Sequence, residues 1–173
     1  GDVHIQCELA NTLKNIAKYG KEGFYTGEVA EDIIKKIRGL GGTHTLEDFS
    51  NFDVEYVKPI NVPYKGYNVF ECPPNGQGIV ALMMLNILSN FDITKYDPNA
   101  YQRIHLEAEA TKLAFMHRNK YLGDPNFSNI PIERMLSQEY AQLLSKKIDE
   151  NVAMQDINIS KLENNKDTVY ISV

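Results

Sequence analysis

The stretch Cys72–Leu88, CPPNGQGIVALMMLNIL, constrains the fold more than any other part of this chain. A Pro-Pro and Gly-rich turn opens an apolar run. That run is hydrophobic nearly all round a helix, so a helix over about Ile79–Asn90 is expected to be buried on most sides. Asn86 interrupts it. It also falls short of the roughly 20 apolar residues that span a bilayer, so it reads as a core helix. The chain has 173 residues. That length suffices for one domain with a core and is short for two.

Helical spacing predicts an amino-terminal helix over about Ile5–Tyr19, with Leu9, Leu13, Ile16 and Ala17 on one side and Gly20 as its stop. A second helix is expected from near Gly27, striped by Val29, Ile33, Ile34 and Ile37 and ended by Gly39, Gly41 and Gly42. Thr45 and Asp48 have the spacing of a capping box, predicting a short helix over Leu46–Asn51. Residues 54–71 are rich in β-formers. They predict two strands joined around Tyr64-Lys65-Gly66, with Pro59 and Pro63 favouring an edge. Asp97-Pro98 reads as the start of the longest helix, about Asn99–Leu122, closed by Gly123-Asp124-Pro125. Ser137 is expected to cap a last helix with Ala141, Leu144 and Ile148 on its buried side. The tyrosines and phenylalanines read as core. The expected organisation is a helical part over 1–149, a polar flexible connector over 150–167, and a strand over 168–173, where TVYISV alternates. The chain opens on GDVHIQ, without Met, and reads as an internal piece or one whose start has been removed.

Net charge is −5, with acids and bases interspersed, so no nucleic-acid or anionic-membrane footprint is present. Cys7 and Cys72 lack metal-site spacing, and free buried thiols are the preferred reading over a pair. His105, Glu109 and Lys112 share one side of the long helix. A His and a carboxylate one turn apart can reach one ion, but a third ligand is missing and Lys112 would repel a cation. The preferred reading is a polar packing stripe, with Glu109 paired to Lys112 or Arg118; no metal is assigned. Asn75–Gly78 sits at a helix start where free N–H groups can hold an anion. No P-loop or dinucleotide pattern surrounds it, so a turn that lets the backbone pack closely is preferred.

Thr168 opens the terminal strand. A Thr hydroxyl becomes a competent nucleophile when its own α-amine, with a pKa near 8, is free to act as base. That amine exists only if the chain is cut at Asp167–Thr168. A Thr opening a strand is common, and composition alone does not decide between these readings.

Several stretches in order carry a family resemblance. They are ELANTLKNIAKYGKEGFYTGEVAEDI, GGTHTLEDFSNF, PYKGYNVFECPPNGQG and, most specific, HLEAEATKLAFMHRNKYLGDPNF from His105 to Phe127. Over nearly its whole length the chain resembles the γ-glutamyltranspeptidases, which are N-terminal-nucleophile hydrolases. It is similar to the second half of the family's large subunit plus the first residues of its small subunit. The family's strand Thr-Thr-His-aromatic-Ser-Val aligns with Thr168–Val173, from which Val169 and Tyr170 depart.

The resemblance implies an α+β fold: a mainly helical piece with a peripheral hairpin, belonging to a four-layer αββα sandwich. It implies self-cleavage between Asp167 and Thr168, with Thr168 then the nucleophile toward a γ-glutamyl substrate such as glutathione. The acyl group would pass to water or to an amino acid. It further implies a heterodimer with the small subunit of the same precursor and no organic or metal cofactor. Substrate contacts would lie before residue 1 and after residue 173. Export from the cytoplasm is implied by resemblance alone. An acylase with another amide substrate and a non-catalytic helical scaffold are the alternatives.

Overall fold

Among the described residues, helices form where apolar residues recur at helical spacing, and one hairpin forms where β-formers flank a tight turn. The computed structural model describes residues 1–155. Asp167, Thr168 and the expected strand over 168–173 lie outside the described residues. The chain divides into two compact units, Gly1–Tyr56 and Val57–Val173, where chain length pointed to one domain.

The first unit holds α1 (Cys7–Tyr19), α2 (Glu22–Tyr25), α3 (Gly27–Gly39) and α4 (Leu46–Ser50). Gly20, at φ +61°, ends α1. The one-turn α2 carried no periodicity from which to expect it. Its Gly23 lies against the backbone of α1, and a Cβ there would overlap the Asn15 carbonyl. The expected capping box is present: the Asp48 amide donates to Thr45 Oγ1 at 3.2 Å and the Thr45 amide to Asp48 Oδ2 at 2.7 Å. Only Ala30 and Ile34 of this unit are fully buried. Leu9 and Leu13 are exposed by half or more, so the expected α1 stripe is covered only in part. Tyr25 stacks on Phe52 with centroids 4.9 Å apart and lies near Phe24 and Phe49, giving the unit a small aromatic centre.

The second unit contains β1 (Ile60–Tyr64), β2 (Tyr67–Glu71), α5 (Gly78–Leu88), a short 3-10 turn (Ile93–Lys95), α6 (Tyr101–Tyr121), α7 (Ile132–Met135) and α8 (Gln138–Ser145). The strands pair antiparallel, with Val62 opposite Val69 and Tyr64 opposite Tyr67. Lys65 and Gly66 both have positive φ, as a two-residue type I′ hairpin turn requires. Val62 is buried, while Asn61 and Pro63 point to solvent. Pro63 can donate no amide and suits the outer strand position it occupies.

Helix α5 is the axis of this unit. It packs against the hairpin, α6 and α8. Ile79, Val80, Leu82, Met83, Ile87 and Leu88 are all buried on it. Burial on that scale is worth roughly 1.5–3 kcal/mol per large side chain before conformational costs. Leu106, Ala110, Leu113 and Ala114 of α6 and Leu144 of α8 complete the same core.

Three expectations are corrected. Asp97 does not cap α6: its Oδ1 accepts from the Asn99 amide at 2.9 Å and its carbonyl from the Ala100 amide, closing a turn before the helix begins at Tyr101. The short Asp side chain satisfies its own neighbours first. No aromatic side chain among the described residues is fully buried. Aliphatic residues fill the interior, and Tyr64, Phe91, Tyr96, Tyr121 and Tyr140 line its rim. Cys7 and Cys72 are free, but exposed.

Asn86 is the polar exception on α5. It is fully buried. Its Nδ2 donates to the Leu136 carbonyl at 2.8 Å, and its Oδ1 accepts from Gln138 Nε2 at 3.0 Å. These bonds hold the α7–α8 corner against α5. Asn86→Ala is therefore expected to lower stability by about 2 kcal/mol, because the Leu136 carbonyl loses its partner within the core. Urea denaturation of the two proteins measures this, and an unchanged midpoint would exclude such a role.

Candidate functional site

Helix α6 gathers most of the chemistry that the described residues offer. Its sequence puts apolar residues at 106, 110, 113 and 114 inward and leaves polar residues along the flanks. His105, Glu109 and Lys112 do share one side, but what they meet is backbone. Glu109 is 1% exposed, a burial that an unpaired carboxylate does not tolerate. Lys112 Nζ donates to its Oε1 at 2.7 Å. The Met154 amide donates to its Oε2 at 3.1 Å. Lys112 Nζ also reaches the Met154 carbonyl at 3.5 Å. One turn earlier, His105 Nε2 lies 2.8 Å from the Asp149 carbonyl. A carbonyl only accepts, so this nitrogen carries a proton. Asp149 Oδ1 in turn accepts from the amides of Asn151 and Val152. The stripe thus fastens Asp149–Met154 to α6.

With both Glu109 oxygens and His105 Nε2 engaged, the stripe is a packing device, as its sequence suggested, and Lys112 is the partner of Glu109. Arg118 goes elsewhere. Its Nη1 donates to Gln77 Oε1 at 2.8 Å, and its guanidinium lies 4.5 Å from the Phe115 ring centroid. Among the described residues, no group of three or more His, Cys, Asp or Glu side chains is placed to share an ion.

The Asn75–Gly78 turn is held by that Arg118 bond. Gly78 is where the close approach occurs: a Cβ there would meet the Glu71 side chain at 2.6–3.0 Å. The turn brings the end of β2 against the start of α5, in keeping with its reading as a packing turn.

His117 sits half-buried between α6 and α8. Its Nδ1 lies 2.7 Å from the Leu113 carbonyl and its Nε2 2.6 Å from Tyr140 Oη. The carbonyl requires the proton on Nδ1, so in the neutral ring Nε2 accepts from the Tyr140 hydroxyl. Tyr121 stacks on the ring and Tyr140 meets it edge-on. Burial lowers the His117 pKa. The Leu113 bond opposes that shift, and the charges of Lys147, Lys120 and Arg134 add to it.

The missed partners were backbone groups. The amide of Met154 and the carbonyl of Asp149 have no signature in residue type. The only visible signal was the polar stripe itself, whose buried carboxylate demanded donors from somewhere.

Asp167 and Thr168, the expected junction and nucleophile, lie outside the described residues. Glu109 and Lys112 fasten the chain at Met154, on the approach to that junction in sequence.

The His117 geometry has a pH consequence. With the folded pKa below the ordinary 6.5, folding favours the neutral ring. The associated stability is complete above about pH 6.5 and is lost as pH falls through the folded value. Urea midpoints are expected to drop between about pH 7.5 and pH 5.5 by more in the wild type than in His117→Gln. Equal drops in the two proteins would refute this.

Known proteins place the chain. A family model described as gamma-glutamyltranspeptidase matches residues 1–173. The glutathione hydrolase proenzyme of Escherichia coli is 37% identical over 176 aligned residues, covering 98% of this chain and 30% of that protein. The crystal structure of Helicobacter pylori gamma-glutamyltranspeptidase superposes with a TM-score of 0.74 at 30% identity, covering 95% of this chain and 49% of that one. Cephalosporin acylase from Bacillus halodurans superposes with a TM-score of 0.70 at 41% identity, over 81% of this chain and 26% of that one. The chain therefore spans about a third of the curated relative and half or less of the solved chains. Matched from end to end by the family model, and sharing more than a third of its residues with a proenzyme across nearly its full length, this chain belongs to the gamma-glutamyltranspeptidase family.

Proposed function

We propose that this chain is part of a γ-glutamyltransferase and glutathione hydrolase that matures by cleaving itself between Asp167 and Thr168. The observation that carries the reading is the family match through residue 173, which takes in the Asp167–Thr168 peptide. Residues 1–149 supply helices of the large subunit, 150–167 connect them to the junction, and 168–173 begin the small subunit. The complete protein is a heterodimer of the two pieces with the four-layer αββα arrangement.

Maturation begins when Thr168 Oγ attacks the Asp167 carbonyl carbon. The peptide C–N bond breaks and an ester forms. Water then cleaves the ester, releasing the Asp167 carboxylate and leaving Thr168 with a free α-amine. In turnover that amine takes the Thr168 hydroxyl proton as Oγ attacks the γ-amide of glutathione or a related compound. The proton passes to the departing amine, and a γ-glutamyl ester remains on Thr168. Water releases glutamate, or an amino acid accepts the acyl group. Backbone N–H groups beyond residue 173 stabilise the tetrahedral oxyanion.

The acylase reading is supported by the 41% identity to cephalosporin acylase and by the 35% identity to the Acylase ACY 1 proenzyme of a Pseudomonas strain. Relative rates on a chromogenic γ-glutamyl anilide and on a cephalosporin side-chain amide separate the two substrates.

Mass spectrometry of the full-length gene product is expected to find a break before Thr168, absent in Thr168→Ala. An intact wild-type chain would favour a scaffold. The 173-residue chain alone is expected to show no turnover of the γ-glutamyl anilide, since a nucleophile without oxyanion donors lacks the largest rate contribution. Turnover by this chain alone would contradict the assignment of those donors to residues beyond 173.

A further inference from the structure

We propose that the segment Val54–Lys58 is a β-strand of the complete protein, paired through its main chain with a strand that lies outside residues 1–173. This rests on the reading of the chain as part of a longer precursor and not on the role of Thr168.

The segment consists of strand formers left without a strand. The β-formers begin at Val54, yet β1 begins at Ile60, and residues 52–59 belong to no helix or strand. Every residue from Asn51 to Pro59 is exposed. Val54 is 75% exposed, Val57 48%, and Tyr56 completely. Three large apolar side chains within four positions are costly to leave in water. Among the described residues, the amides and carbonyls of Glu55, Tyr56, Val57 and Lys58 have no hydrogen-bond partner. Such a segment is a ready template for another strand.

The hairpin cannot supply that strand. Its register sets Ile60 opposite Glu71. Continued backwards, the same register would set Lys58 opposite Pro73, which has no amide, and the chain turns there towards α5. Both ends of the segment are defined. Before it, Asp53 Oδ1 accepts from the Val54 amide at 2.9 Å and lies 3.4 Å from Lys21 Nζ. After it, Pro59 ends the run of donors. The amides between them alternate in direction along a strand, Glu55 and Val57 to one side, Tyr56 and Lys58 to the other.

The occupant follows from the extent of the relatives. The Escherichia coli glutathione hydrolase proenzyme is matched over 30% of its length, so most of a protein of that kind lies outside this chain. A main-chain ladder asks only for an unpaired strand edge. Val54 and Tyr56 fall on one side of such a ladder and Val57 on the other, so the partner strand offers apolar side chains where Val54 and Tyr56 lie.

Hydrogen exchange of the full-length gene product, read by mass spectrometry on peptides covering Asp53–Lys58, tests the pairing. Amides left in water exchange at the intrinsic rate; paired ones are expected to exchange at least about a hundredfold slower. Proline substitution separates main-chain pairing from side-chain packing. Tyr56→Pro and Val57→Pro each delete one amide, on opposite sides of the strand. One of the two is expected to abolish the protection and the other to leave most of it. The peptide that loses protection together with Val54–Lys58 is expected to lie outside residues 1–173. Intrinsic exchange in the wild type would overturn the proposal, and that measurement needs no variant to fold. So would equal effects of the two prolines, or a co-varying peptide within residues 1–173. Protection that fades on dilution would assign the strand to a second copy and overturn it likewise. A product cleaved before Thr168 whose segment exchanges freely would overturn the strand alone and leave the proposed function in place.

Discussion

The burial of α5 is the constraint on which the second unit depends. A helix apolar on most of its circumference cannot lie on a surface, so elements must cover it on several sides. The hairpin does so through Ile60 and Tyr64, α6 through Leu106, Ala110 and Leu113, and α8 through Leu144. Asn86 converts this non-directional requirement into a specific one. Its two hydrogen bonds select one placement of the α7–α8 corner among the many that would bury the same area. Hydrophobic burial supplies the energy here, and a single satisfied amide supplies direction.

Helix α6 shows how one helix serves two ends. Its inward side completes the core around α5. Its flanks hold other parts of the chain by their polar groups: Arg118 the turn at Gln77, His117 the hydroxyl of Tyr140, and the His105–Glu109–Lys112 stripe the segment Asp149–Met154. All of these side chains depend on the helical register set by the buried residues. In this sense the packing of α5 also governs the path of the chain as it leaves α8.

Much of the helical fold was legible because its signals are local. Helix existence followed from periodicity, and the Thr45–Asp48 box and the Ser137 cap are decided within four residues. The hairpin was legible for the same reason, since Lys65-Gly66 and the flanking β-formers specify a turn without outside help. Failures arose where short-range alternatives competed. Asp97 looked like a helix cap, yet its side chain closes a turn with Asn99 first. The one-turn helices α2 and α7 are too short to show a period. Aromatic residues read as core because they are large and apolar, but the interior filled with aliphatic side chains and left the rings at its margin.

The candidate site divides along the same line. Residue types alone determined that Glu109 needs a cationic or donor partner if buried, that Lys112 stands one turn away, and that the motifs of the His105–Phe127 stretch resemble those of the γ-glutamyltranspeptidases. Thr168 is a proposed nucleophile on the strength of the family resemblance, and it lies outside the described residues. Only tertiary structure decided that Glu109 is buried, that its second oxygen meets the Met154 amide, and that Arg118 turns to Gln77 instead. The reason is physical. Periodicity, caps and turns are encoded by side chains near in sequence. A bond to a main-chain amide 45 residues away is made by a group that every residue except proline carries, and only the packed chain selects which one.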